Sequence, residues 1–124
     1  MYKFNNPHPD GKRVGDCVKR AICLAEGRPY KDVAADLNRL KKTTGAKAYN
    51  SNENWRAYVK RYSRLNFPAE AGKPRMNGER FCAAYPDGMY ILRMAKHLSC
   101  CINGVINDTF DCSEKCVYTA WQVG

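Results

Sequence analysis

The sequence predicts an α+β domain in which a helical N-terminal half packs on a C-terminal antiparallel β-sheet. Three observations carry this. Apolar residues recur at helical spacing from Val18 to about Tyr85. Past Pro86-Asp87-Gly88 the period changes to strand-like alternation. Asn103-Gly104 stands between two such strands, the strongest short-range hairpin signal a sequence can carry.

The first helix begins after Gly15-Asp16, with Val18, Ala21, Ile22 and Ala25 as its apolar stripe, Asp16 as its expected N-cap, and Gly27 and Pro29 as its stop. Cys17 then falls on the first helical turn. A second helix is predicted from about Tyr30 to Lys42 by Val33, Ala34, Leu37 and Leu40, closing near Gly45. A third is predicted over Asn52 to Leu65, with Trp55, Tyr58, Val59 and Tyr62 facing inward. After a loop marked by Pro68, Gly72 and Pro74, Asn77 caps a short fourth helix reaching about Tyr85. Strands are expected over Met89 to Met94, Leu98 to Ile102, Val105 to Thr109 and Val117 to Val123.

A chain of 124 residues forms a single domain, 1–124, that buries roughly two-thirds of its unfolded surface, enough for a core without staples. With 44% hydrophobic and 27% charged residues, the composition excludes disorder and collagen-like repeats. No apolar run has bilayer or signal-peptide length, so no membrane partner and a cytoplasmic location are expected. The net charge of +9 favours acidic partners and leaves nucleic acid possible without favouring it. The seven cysteines are odd in number and no signal peptide accompanies them, so they read as reduced thiols, with Cys23, Cys82 and Cys100 as core packing.

A thiol on a first helical turn feels the positive end of the helix dipole and free backbone N–H groups, which favour thiolate. That makes Cys17 the candidate nucleophile. Its base must be His8 or His97, and His8 lies between two prolines, a poor place to hold an imidazole. A two-residue turn at Asn103-Gly104 pairs Cys101 with Ile106 and Cys100 with Asn107, and by extension Ser99 with Asp108 and His97 with Phe110. Side chains alternate faces, so Asp108 becomes the diagonal neighbour of His97, about 7–8 Å away backbone to backbone. Asn107 falls on the other face, and so does Asp111 if the strand continues that far, although a bulge there reopens the choice. Parity therefore selects Asp108 to orient His97 and stabilise its protonated form.

Gly15-Asp16-Cys17 opening a helix that runs into Ala21-Ile22, followed downstream by His97 and by Asp108-Thr109-Phe110, resembles the papain-like cysteine peptidase superfamily. Within it, the chain looks like compact bacterial and phage members. The resemblance implies a papain-like fold and a Cys17–His97–Asp108 triad that cleaves a peptide or isopeptide-like amide of a protein or peptide substrate through a thioester. It implies no cofactor and no metal. It also implies that Phe110 shields the His97–Asp108 hydrogen bond and contacts substrate. The family's oxyanion glutamine has no counterpart before Cys17, since the one glutamine is Gln122; Asn6 and Asn5 are the side-chain amides available in its stead. Arg20, one turn after Cys17, is a candidate for docking an acidic substrate or for a helix-surface salt bridge.

Two competing classes are weighed. A zinc site from Cys100, Cys101, Cys112 and Cys116 is disfavoured, because consecutive strand residues point to opposite faces and no paired Cys-x-x-Cys unit exists. A basic binding module rests on Arg56, Lys60 and Arg64, which recur every four residues beside Tyr58 and Tyr62 and suit phosphate contact and aromatic stacking. Acyl transfer or deamidation would use the same triad as hydrolysis.

Overall fold

The computed structural model describes residues 1–124. It is a mixed α+β structure with helices α1 (Cys17–Glu26), α2 (Tyr30–Thr44), α3 (Asn52–Val59) and α4 (Gly78–Ala84). The strands are β1 (Tyr2–Phe4), β2 (Ser63–Asn66), β3 (Met89–Met94), β4 (His97–Ile102), β5 (Val105–Asp108) and β6 (Val117–Gln122). They form one sheet in the order β1-β5-β4-β3-β6-β2.

Each helix boundary has a local cause. Gly27 adopts φ 66°, a left-handed conformation that glycine takes without steric cost, and Arg28 N–H then closes α1 on the Cys23 carbonyl at 3.1 Å. Asn77 caps α4 by accepting from the Arg80 N–H at 2.8 Å. The β4–β5 turn has φ 47° at Asn103 and 76° at Gly104, the primed-turn geometry that the Asn-Gly pair predicts. The register follows: Ile102 pairs with Val105, Cys101 with Ile106 and Cys100 with Asn107.

The sheet corrects the expectation in two places. It is mixed rather than antiparallel, because β1 runs parallel to β5 with Tyr2 opposite Ile106 and Phe4 opposite Asp108. This N-terminal strand covers what would otherwise be an open edge on β5. At the other edge, α3 stops at Val59 instead of Leu65, and Ser63–Asn66 pairs antiparallel with β6 as β2. Thus both edge strands precede the four central strands in sequence.

Helices α1, α2 and α3 cover one face, where Ile22, Val33, Leu37, Tyr58, Ile91 and Cys100 are buried together. Helix α4 covers the other with Phe81, against Leu92, Met94, Cys101, Ile106 and Val117. Cys100 and Cys101 therefore do face opposite sides. Burying each of these large apolar side chains is worth about 1.5–3 kcal/mol. Helix α1 lies across β4, which brings Cys17 to the strand that begins with His97. All seven cysteines are free. No helix is long and apolar enough to cross a membrane.

Candidate active site

Cys17 is the first residue of α1, and the N-cap behind it is unusual. The Asp16 side chain makes no capping hydrogen bond, contrary to expectation. It is buried, pairs with Arg20, and accepts from the Tyr30 hydroxyl at 2.8 Å. An α-helix leaves its first N–H groups without intrahelical partners. With the cap carboxylate turned inward, those of the Cys17 turn have no side-chain acceptor and present their positive dipole end to the thiol.

The second half of the site is built on the β4–β5 hairpin. The turn places Asp108 close enough to His97 for a 2.7 Å hydrogen bond between Asp108 Oδ2 and His97 Nε2. Ser99 Oγ donates to the same oxygen at 2.6 Å, and the Thr109 N–H donates to Oδ1 at 2.7 Å. Arg20 Nη2 stands 3.4 Å from Oδ1, and Cys112 Sγ lies 3.6 Å from Oδ2. Four groups besides His97 therefore fix the carboxylate. With Nε2 committed to Asp108, Nδ1 is the imidazole nitrogen left for Cys17.

These contacts set the charges. Burial pushes the Asp108 carboxyl up, but hydrogen bonds from His97 and Ser99, the His97 charge and the Thr109 N–H outweigh it and hold its pKa below the ordinary value. Burial alone would lower His97, yet its hydrogen bonds with Asp108, Cys112 and Cys17 raise it to about 11. Burial raises the Cys17 thiol as well. Hydrogen bonds from His97 and from the Leu98 backbone, with the charges of His97 and Arg20, together exceed that and lower it. The pair is therefore biased toward thiolate and imidazolium.

Cys17 and His97 line one cavity of about 370 Å³, which Asn50, Asn52, Arg93 and Lys96 also line. Trp55 donates through Nε1 to Asn52 Oδ1 at 3.1 Å, which turns the Asn52 NH₂ away from Trp55. Asn50 belongs to the loop between α2 and α3, and buried Asn54 staples that loop. Its Nδ2 donates to the Tyr49 carbonyl at 2.7 Å and to the Leu37 carbonyl at 3.1 Å, and its Oδ1 accepts from Thr44 at 2.9 Å.

The structure thus brings Cys17, His97 and Asp108 together, with the Phe110 ring 5.0 Å from the His97 ring centroid and itself 45% exposed. It does not bring Asn5 or Asn6 to the cavity. Asn6 Nδ2 donates to the Gly11 and Lys12 carbonyls, and Asn5 Nδ2 donates to Asn107 Oδ1 at 3.1 Å. Both amides are spent on fixing the N-terminal loop. Arg20 is neither a surface ion pair nor a docking group: it is 6% exposed and bridges Asp16 and Asp108. Asn50, Asn52, Arg93, Lys96 and Ser99 were not singled out by the sequence. Asn50-Ser51-Asn52 reads there as a helix start, and the strand residues read only as alternation.

His97, Asp108 and Cys112 place their donor atoms within 4.8 Å of one another, a spacing a metal ion could bridge. The set does not fit a resident cation, because the Arg20 guanidinium already occupies Asp108 Oδ1 and the His97–Asp108 hydrogen bond would have to open.

The basic ridge is redistributed. Arg56 and Lys60 remain at the end of α3 while Arg64 sits on β2, and all three line a separate cavity of about 320 Å³ with Tyr62 and Trp121. Tyr58 offers no stacking face, being 1% exposed and hydrogen-bonded to Glu26. Comparison of the chain with protein families, curated proteins and solved structures finds no match.

Proposed function

We propose that the chain is a papain-like cysteine peptidase or amidase that cleaves a peptide or isopeptide-like amide through a Cys17 thioester. The observation that carries this reading is the charge relay in space: a helix-initiating thiol, an imidazole beside it, and a buried carboxylate 2.7 Å from the imidazole's far nitrogen. A structural cysteine has no need of a histidine oriented by a carboxylate that four other groups hold in place.

The Cys17 thiolate attacks the substrate carbonyl carbon, and the carbonyl oxygen takes up the charge. The free N–H groups of the first turn of α1 and the side-chain amides of Asn50 and Asn52 are the donors available to that oxyanion, in place of Asn5 and Asn6. His97 delivers its Nδ1 proton to the leaving amine as the C–N bond breaks and the thioester forms. Neutral His97 then takes a proton from water, whose oxygen displaces the thiolate and releases the acid. Asp108 stays ionised throughout and stabilises the imidazolium. An amine in place of water gives transfer by the same steps.

The test is alkylation of the native protein by iodoacetamide across pH, located by mass spectrometry and repeated in His97→Ala. Cys17 is expected to react selectively with an apparent pKa below the free-thiol value of about 8.5, and His97→Ala to abolish the shift. Free-thiol titration of Cys17 in both proteins would overturn the reading.

A further inference from the structure

We infer that the cavity beside Cys17 selects substrates bearing a carboxylate next to the scissile amide, and that Arg93 and Lys96 bind it. This rests on the reading of Cys17 as the nucleophile and names the substrate class of that site.

The charge around the cavity has one sign. Its charged lining residues besides the triad pair are Arg93 and Lys96, and no aspartate or glutamate lines it. Elsewhere in the chain arginines meet acids, Arg20 with Asp16 and Asp108 and Arg28 with Glu26 and Asp36. Arg93 and Lys96 join no salt bridge. The Arg93 guanidinium lies 5.5 Å over the Tyr118 ring. Such a contact leaves the in-plane N–H donors free for a bidentate carboxylate.

Register places both cations at the nucleophile. Arg93 on β3 is the direct partner of Leu98 on β4, which lines the same cavity as Cys17. Lys96 directly precedes His97, and its φ is 53°. The left-handed region disfavours residues other than glycine and asparagine, so a lysine held there by the β3–β4 turn is a strained residue at a functional site. A carboxylate reaching both cations therefore lies in the same cavity as the Cys17 thiol. Two sources supply that chemistry: an acidic side chain beside the cleaved bond, or the free α-carboxylate of a residue linked through its side chain.

The test measures protection of Cys17 from iodoacetamide in the full-length protein by small probes. N-acetylglutamate α-amide carries only the side-chain carboxylate, N-acetylglutamine only the α-carboxylate, and N-acetylglutaminamide neither. The expected result is that one charged probe slows alkylation about threefold at about twice its dissociation constant. The neutral probe does not, and Arg93→Gln with Lys96→Gln removes the protection. Which charged probe protects identifies the source. Arg93→Lys, which keeps the charge and loses the fork, is expected to retain part of the effect and serves as the folding control. Equal protection by all three probes, or none by any, overturns the inference. Failure of the unliganded Cys17 to show a lowered pKa overturns the catalytic reading instead, so the two failures are distinct.

Discussion

Arg20 Nη2 lies 3.4 Å from Asp108 Oδ1 while the same guanidinium pairs with Asp16, so one buried cation ties the residue before Cys17 to the carboxylate that hydrogen-bonds His97. The two halves of the site, separated by 88 residues in sequence between these partners, are locked in register by charge. Along the chain of contacts the signs alternate: Asp16, Arg20, Asp108, His97, Cys17.

Removing Arg20 leaves the buried Asp16 carboxylate without its cation and Asp108 with His97 alone. Breaking a buried pair from one side costs about 3–5 kcal/mol. Arg20→Met is therefore expected to lower the unfolding free energy read from urea denaturation by that amount, and Arg20→Lys to recover only part, because a point charge cannot contact both carboxylates as the fork does. A loss below about 1 kcal/mol in Arg20→Met would show that the bridge contributes nothing structural.

The titrations predict a pH dependence with two opposed parts. His97 is raised to about 11, so its contribution to stability is full below the unfolded value of about 6.5 and is lost as pH climbs through 11. Cys17 is lowered, so its contribution is full above the unfolded value of about 8.5 and is lost as pH falls through the folded one. Where the two windows overlap, up to about pH 8.5, the slopes oppose and stability changes little. In Cys17→Ala only the His97 slope remains, and the urea midpoint should fall with pH from about 6.5. Parallel curves for the two proteins over that interval would refute the ion pair. At the acid end, Asp108 is lowered, so its contribution is present above about pH 3.9 and lost as pH falls through its folded pKa.

Asp108→Asn separates charge from geometry. The amide still reaches His97, but the imidazolium loses the carboxylate that raises it. His97 then titrates lower, and Cys17 loses its charged partner and titrates higher. Each unit of that rise lowers the thiolate fraction about tenfold below the pKa, so iodoacetamide alkylation at pH 7 should slow by about that factor. Turnover, which also needs the His97 proton, should fall by about a hundredfold or more. An unchanged alkylation profile would remove Asp108 from the mechanism.

The hairpin half of the site was legible because two rules act locally: the Asn103-Gly104 turn sets register, and alternation sets faces. Together they single out Asp108 over Asn107 and Asp111. Cys17 was legible from the glycine and aspartate before a helical stripe. Arg20 was misjudged because its spacing from Asp16 is that of a solvent-exposed helix pair, and its burial depends on Asp108, which no local pattern connects to it. Strand β2 was hidden because Tyr62 continues the helical period of α3. The Tyr62 hydroxyl instead pairs with Glu26 on α1, so a tertiary contact overrides the pattern. Strand β1 has three residues and no period to read.

The loop carrying Asn50 depends on Asn54, a fully buried amide with three hydrogen bonds to Leu37, Tyr49 and Thr44. Asn54→Leu keeps the volume and strands the Leu37 and Tyr49 carbonyls without their donor. Leaving buried polar groups unpaired costs about 1–3 kcal/mol each, so the unfolding free energy should fall by about 2–6 kcal/mol. The more telling expectation concerns catalysis. With the loop untethered, Asn50 no longer holds its place at the cavity, whereas Cys17, His97 and Asp108 sit on α1, β4 and β5 and stay put. Alkylation of Cys17 should then keep its low apparent pKa while turnover of an amide substrate drops about tenfold or more, as expected when an oxyanion donor is displaced. If turnover and alkylation fall together, the loop supports the helix terminus itself rather than the oxyanion. If both survive the loss of stability, Asn50 plays no part in the reaction.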